Sequence, residues 1–199
     1  MKKLLIVSAL ACAAALFAAA GCGERGGASE EEQFNSAKAK FDNYTVDVQI
    51  NYSEGGSYNT TLMVDGLSGM LESHTADTTI YYKKDGATVY YMYSGDTDWS
   101  EATYAGSIEE ASGSYNGYVY MVENLFYDDF ESVDGELVVT DEALEAYSEQ
   151  YGMDVSSCRV NLSGSTIASA TVVVNYYGER TEVNYSFSDY GTTEVTLPE

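Results

Sequence analysis

The chain contains a single histidine, His74, the residue type that most often carries acid–base or metal chemistry near neutral pH. It lies in a polar segment, and no second histidine or cysteine stands at metal-ligand spacing from it. The sequence has no G-x-S-x-G nucleophile motif, no phosphate-binding glycine-rich loop and no CxxC pair. A triad built on His74 would need partners from distant segments. We therefore predict no catalytic residues, no metal site and no cofactor.

Acidic side chains are the other candidates for chemistry. Glu109-Glu110 and Asp128-Asp129 are adjacent pairs, and neighbours in a strand point to opposite faces, which argues against shared acid–base work. The Asp96-x-Asp98 pair is too short and too poor in glycine for a calcium-binding loop, so we interpret it as a solvated loop. Carboxylates that are distant in sequence can still converge in the fold, and this alternative stays open.

Three cysteines occur, at positions 12, 22 and 158, and they do not form a disulfide framework. Cys158 lies in the apolar-patterned run 155–162, which favours a buried structural thiol over a reactive one. Cys12 falls inside an apolar N-terminal run over 4–20, and Cys22 lies two residues after the end of that run. If Cys22 is not otherwise modified, a Cys22–Cys158 disulfide is the alternative.

Residues 1–21 have the order of a secretory signal peptide. Lys2 and Lys3 precede a charge-free apolar run over 4–20 that ends in small residues. The run is slightly short for a membrane span and is not followed by a basic stop-transfer cluster. There is no twin-arginine pair, which favours the general secretion route.

The segment Ala19-Ala20-Gly21-Cys22 resembles the lipobox of bacterial lipoproteins, with Ala19 where leucine is usual. The resemblance implies that Cys22 becomes the first mature residue and carries acyl chains such as palmitate. The protein would then be lipid-anchored at the extracytoplasmic face of the cell membrane. Ordinary cleavage after Ala20, without acylation, is the alternative. Residues 22–29 are polar and rich in glycine, and we interpret them as a lipidated tether.

The formal net charge of −23 limits the partners of the protein. Such a surface repels phosphate backbones, so we expect no nucleic-acid partner. It also repels anionic headgroups, so the body of the protein should stand off the bilayer and depend on its anchor. We interpret the acidity as a source of solubility rather than as a cation site. Residues 30–199 are enough chain for a single domain with a buried core.

Regular alternation of apolar and polar residues predicts antiparallel strands with one buried face. In the clearest case, Tyr44, Val46, Val48, Ile50 and Tyr52 share one side of a strand over 44–52. Further strands are predicted at 58–64, 69–73, 80–83, 88–93, 155–162, 166–177 and 181–187, with a hairpin over 131–140. Ser29 and Glu32 form a capping-box pattern that predicts a helix over 30–42. A second helix is predicted over 141–151 and a short one near 107–111, within a loop over 95–116.

The 19 tyrosines are the most unusual feature of the composition. They include Tyr81, Tyr82, Tyr90, Tyr91, Tyr93, Tyr115, Tyr118, Tyr120, Tyr127, Tyr176 and Tyr177. The structural interpretation is packing beneath helices and loops, and the functional one is an aromatic-lined cleft for an apolar or sugar ligand. Packing is favoured because tyrosine is a good strand residue.

The order of these features resembles small lipoproteins of the LolA/LppX-like superfamily, of the uncharacterised Gram-positive type. A lipobox, a tether and a helix precede the strand at Tyr44. After that strand come an aromatic hairpin, a loop with Trp99 and the segment FESVDG at 130–135. A helix and three strands follow, and the chain then reads FSDYGTTEVTLP at 187–198. The likeness covers about 30–198. It implies an α+β, mainly β fold: a curved antiparallel half-barrel with two or three covering helices, an apolar cavity for acyl chains and no catalytic residues.

We therefore expect a non-enzymatic lipoprotein that binds a lipid or other apolar molecule between sheet and helices. The predicted helices offer few large apolar side chains to fill that space, namely Phe34, Phe41, Leu144, Tyr147 and Tyr151. The alternative is a structural or protein-interaction lipoprotein of the cell envelope, whose sheet is filled by its own side chains. The concave face of the sheet distinguishes the two hypotheses.

Overall fold

The computed structural model of the chain describes residues 28–66, 68–112, 122, 124–152, 154–176 and 178–198. Several predictions concern positions outside these ranges: the signal peptide, Cys22, most of the tether, Tyr115, Tyr118, Tyr120 and Tyr177. Within the described ranges, no helix has the length and apolar character needed to cross a membrane.

Eleven strands of the described chain form a single antiparallel sheet. They are β1 (Asn43–Tyr52), β2 (Ser57–Asp65), β3 (Met70–Thr75), β4 (Thr79–Asp85), β5 (Thr88–Tyr93), β6 (Ser100–Glu101), β7 (Phe130–Val133), β8 (Glu136–Val139), β9 (Asp154–Ser163), β10 (Thr166–Tyr176) and β11 (Glu179–Ser188). The helices are α1 (Glu30–Lys38), α2 (Ile108–Ala111) and α3 (Asp141–Tyr151), with a 3-10 turn at Tyr127–Asp129. The mainly β class predicted from the sequence is confirmed.

Two meanders make up this sheet and meet at its centre. The strand order is β6-β5-β4-β3-β2-β1-β11-β10-β9-β8-β7, so β1 pairs with β2 on one side and with β11 on the other. The edge strands are β6 and β7, and the sheet between them is open.

The register of β1 explains why its alternation is so regular. Val46 lies opposite Phe187 of β11 and Leu62 of β2, and all three side chains are buried. Asp47, the next residue, points to the other face and is exposed. A shift of one residue would move every apolar side chain of β1 to the wrong face, so burial fixes the register.

Helix α1 begins as predicted and ends earlier than predicted. The Glu32 N–H donates to Ser29 Oγ at 3.2 Å, and the Ser29 N–H donates to the Glu32 carboxylate at 2.8 Å, which is a complete capping box. The helix ends at Lys38 rather than at residue 42. The N–H groups of Lys40 and Phe41 bond to carbonyls three residues earlier, and this tighter turn places Phe41 against the sheet.

Helix α3 has the predicted bounds because both of its ends carry strong local signals. Thr140 Oγ1 accepts a hydrogen bond from the Ala143 N–H, and Gly152 ends the helix in the left-handed region at φ 63°. The hairpin of β7 and β8 turns at Asp134 and Gly135, both with positive φ, as the Asp-Gly pair predicts.

All three helices lie on the same face of the sheet. One contiguous core joins Phe34 of α1, Ile108 of α2 and Leu144 of α3 to the apolar side chains of the central strands. This helix-covered face is the counterpart of the concave face in the sequence prediction. The opposite face of the sheet is called the outer face below.

Candidate functional site

His74 lies on the outer face, in β3, and has local partners that the sequence did not reveal. Its Nε2 is 3.0 Å from Glu72 Oε1, and its Nδ1 is 3.0 Å from Thr79 Oγ1. Glu72 also accepts a hydrogen bond from the Tyr81 hydroxyl. The pKa of Tyr81 is raised, mainly because the phenol is partly removed from water and secondly because the negative charge of Glu72 is close. Both ring nitrogens are thus engaged in a network between neighbouring strands. In the described part of the chain, no three potential metal ligands come together.

Cys158 is the buried structural thiol that its apolar surroundings predict. It lies in β9 opposite Val172, has no exposed surface and is not in a disulfide. Burial raises the pKa of the Cys158 thiol to about 12, because a thiolate is poorly solvated in the core.

Aromatic side chains fill the helix-covered face at its centre. Phe41 packs edge-on against Tyr44 and Phe187, with ring centroids 5.2 and 5.3 Å apart, and Tyr190 stacks on Phe187 at 6.5 Å. Tyr44 and Tyr185 are among the largest fully buried side chains of the protein. Over β1 and β11, the protein's own rings therefore occupy the space beneath the covering segments.

A second group of aromatics lies on the same face towards the β5 end of the sheet. It consists of Tyr58, Tyr82, Tyr91, Tyr93 and Tyr104, and is called the tyrosine cluster below. Tyr82 of β4 lies directly opposite Tyr91 of β5, and Tyr93 follows two residues later on the same face. Burial raises the pKa of Tyr82 well above its ordinary value, and the other four phenols add to this shift. The rings of Tyr91 and Tyr93 meet edge-on at 5.9 Å.

The exposure of the tyrosine cluster is graded. Tyr82 is 5% exposed, while Tyr93 is 45% and Tyr104 67% exposed. Such a gradient gives the cluster a buried base and an accessible rim. Phenol rings provide apolar faces for a ligand, and their hydroxyls provide polar contacts at the edges.

Small hydroxyl side chains lie beside these rings. Thr60 and Ser73 are buried on the helix-covered face, with their oxygens 3.4 Å apart. Thr60 also donates to the main-chain carbonyl of His74 at 2.9 Å. Sequence reasoning singled out Tyr82, Tyr91 and Tyr93, but missed Tyr58, Tyr104 and these small residues.

The outer face carries a polar depression of about 310 Å³ over β1, β2 and β11. The outer-face side chains of the lining are those of Asp47, Gln49, Asn59, Thr61, Asn184 and Ser186. Val48 and Thr60 also border the depression, although their side chains are buried on the helix-covered face. The sequence placed Asp47 and Gln49 on the polar side of their strand. It could not bring the β2 and β11 residues beside them, because that grouping depends on the register between strands.

Part of this lining is fixed by hydrogen bonds. Thr61 Oγ1 donates to Asp47 Oδ1 at 2.5 Å, and Asn184 accepts from Thr171 at 2.9 Å. By contrast, the Gln49 and Asn59 amides make no hydrogen bond within the described part of the chain and are exposed. The depression therefore combines a fixed carboxylate with amides that are available to a ligand.

No protein-family model matches this chain, and the search of curated proteins finds no match either.

Proposed function

We propose that this protein is a lipid-anchored extracytoplasmic lipoprotein without catalytic activity, and that it binds a hydrophobic ligand against the tyrosine cluster. The observation that carries the proposal is the convergence of five tyrosines on one part of the helix-covered face. They come from β2, β4, β5 and the loop after β6, so only the folded sheet brings them together.

The proposed position of the ligand follows from a contrast between two parts of the helix-covered face. At the centre, rings such as Tyr44 and Tyr185 are buried against other rings. At the β5 end, Tyr93 and Tyr104 keep much of their surface exposed. A ligand that covers these rings removes apolar area from water, which favours binding by roughly 25 cal/mol per Å² before ordering costs.

The chemistry of the cluster limits the ligand class. Phenol rings suit an apolar chain or ring system, and the tyrosine hydroxyls suit a hydroxyl or ester group at its end. The net charge of −23 disfavours anionic headgroups. We therefore propose a neutral lipid or similar amphipathic molecule.

The anchor and the family belong to the same proposal. Acylation of Cys22 would hold the domain at the extracytoplasmic face of the cell membrane, on the tether of residues 22–29. The open antiparallel sheet with its helices on one face supports a half-barrel of the LolA/LppX-like type.

The second candidate is a structural or protein-interaction lipoprotein of the cell envelope. The filled centre of the helix-covered face favours it, because Phe34, Tyr44 and Tyr185 are each less than 2% exposed. In that case, the protein's own side chains complete the core and the tyrosine cluster serves only packing.

The test is native mass spectrometry of the protein purified from its own host, with Cys22→Ser to remove the anchor. We expect a co-purifying neutral lipid, and a higher melting temperature when neutral lipid is added to stripped protein. Tyr91→Ala should lower the affinity about tenfold, the effect of removing one binding aromatic. Tyr90→Ala is the matched control, since Tyr90 is the neighbouring half-buried residue and points to the outer face.

Absence of bound lipid, together with no thermal shift on adding a lipid extract, would favour the interaction lipoprotein. Equal losses in the Tyr90 and Tyr91 variants would show that the tyrosine cluster is not the binding site.

A further inference from the structure

The polar depression on the outer face lies on the opposite side of the sheet from the tyrosine cluster, and the proposed lipid ligand does not use it. We propose that this depression binds an uncharged polysaccharide chain. The proposal rests on side chains of β1, β2 and β11 and is independent of the ligand of the helix-covered face.

Three amides form a row across the depression. Gln49 of β1 lies directly opposite Asn184 of β11 on one side and Asn59 of β2 on the other. Neighbouring strands are about 4.8 Å apart, so the three amides follow one another at short, regular intervals. Asn184 is held in place, because its Oδ1 accepts from Thr171 at 2.9 Å and its Nδ2 donates to Glu182 at 3.2 Å. The Gln49 and Asn59 amides each present a carbonyl acceptor beside an NH₂ donor, and neighbouring sugar hydroxyls, each both donor and acceptor, can pair with both groups.

The next row of the sheet supplies hydroxyls and a carboxylate. Asp47 lies opposite Ser186 on one side and Thr61 on the other. The Thr61 hydroxyl donates a hydrogen bond to Asp47 Oδ1, which fixes the Asp47 side chain. Asp47 Oδ2 is then left to accept from a ligand hydroxyl. A hydrogen bond to an ionised carboxylate is stronger than one between neutral groups, so Asp47 would be the firmest single contact.

The side chains that line the depression favour a neutral ligand with hydroxyl groups. Its lining has no positive side chain and no aromatic ring, and its one charge is the Asp47 carboxylate. Phosphate, sulfate and uronic acid groups would be repelled by Asp47 and by the acidic chain as a whole. Protein partners usually bind through aromatic or arginine anchors, which the lining lacks. The amides and the carboxylate can all hydrogen-bond to the hydroxyl groups of one ligand.

The polar rows extend beyond the depression, which favours a chain over a single sugar. The amide row continues to Thr171 of β10, and the hydroxyl row continues to His74 of β3 and Ser169 of β10. A linear polymer lying across the strands would meet hydrogen-bonding side chains along the whole strip. Each contact is weak in water, so an extended ligand is needed for measurable affinity.

Affinity electrophoresis of the full-length protein in detergent tests the proposal. The gels contain one of three neutral polysaccharides, namely dextran, laminarin and galactomannan, or the anionic polymer polygalacturonate. We expect retardation by at least one neutral polymer and none by polygalacturonate. The double variant Gln49→Ala with Asn59→Ala should lose about tenfold in affinity, because two hydrogen-bonding amides are removed. Asn51→Ala, in the same strand and on the same face outside the depression, should bind like the wild type.

Circular dichroism and thermal melts of the variants establish that all of them are folded. Three results would overturn the proposal: no retardation by any of the three neutral polymers, unchanged affinity in the folded double variant, or equal retardation by polygalacturonate. Light scattering tests whether a second copy of the chain, rather than a polysaccharide, covers this face. A dimer of the wild type that the double variant lacks would assign the face to a second copy of the chain instead.

Discussion

At the scale of single residues, burial alone decides what Cys158 can do. The thiolate is the reactive form of cysteine, and the core around β9 and β10 excludes the water that would stabilise it. Its raised pKa, about 12, leaves almost no thiolate at neutral pH. The apolar run around Cys158 was enough to predict this, because the prediction needed only a local pattern.

We expect Cys158 to resist iodoacetamide at pH 8 in the folded protein and to react readily in denaturant. Because the folded pKa lies above the ordinary value, the folded state holds this proton more tightly than the unfolded state. The group's contribution to stability is thus complete below the ordinary thiol pKa and is lost as the pH rises towards 12. Peptide mass spectrometry of the Cys22→Ser protein measures the labelling. Rapid modification without denaturant would contradict the buried site.

At the scale of elements, local sequence signals predict where a helix begins, whereas features that depend on distant residues are not visible in the sequence. The cap residues Ser29 and Thr140 act within three residues of their partners, so both helix starts were predictable. The end of α1 was not, because Phe41 leaves the helical path to pack on Tyr44 and Phe187, far away in sequence. Strand β6 has only two residues and exists because Ser100 and Glu101 pair with β5, which their own pattern does not reveal.

The two candidate sites follow the same rule. The abundance of tyrosine was visible in the sequence, but the grouping of Tyr58 with Tyr82 and Tyr104 depends on the pairing of several strands. The amide row needs Asn59 and Asn184 on either side of Gln49, and these residues come from opposite ends of the domain. Composition therefore indicated the chemistry, and register determined where it lies.

Helix α1 should contribute strongly to stability through Phe34. This ring has no exposed surface, packs edge-on against Phe130 at 5.1 Å and lies tilted against Tyr127 at 6.2 Å. Phe34→Ala should lower the free energy of unfolding by roughly 3–5 kcal/mol, the usual cost of removing a buried phenyl ring. Asn35→Ala, on the exposed side of the helix, should change it by less than about 0.5 kcal/mol. Urea denaturation compares them, and similar values for both would mean that α1 is not docked on the sheet.

At the scale of the whole molecule, the first and last strands meet in the middle of the sheet. β1 pairs with β11 over eight residue pairs. The first strand therefore lacks one of its two neighbours until β11 is in place. Such distant pairing slows folding, because the loop-closure cost must be met before the contacts form.

The anchor proposal also applies to the whole molecule, because it sets where the two faces of the sheet operate. Two acyl chains on one cysteine hold a protein on a membrane stably, whereas a single chain binds only marginally. The strongly acidic domain gains no attraction from anionic headgroups, so retention should depend on Cys22 alone. Cys22→Ala should therefore move the protein from the membrane fraction to the medium, as measured by immunoblotting of cell fractions. Cys12→Ala removes another cysteine, within the predicted signal peptide, and should leave the protein on the membrane. Membrane retention of the Cys22→Ala protein would show that another part of the chain holds it there.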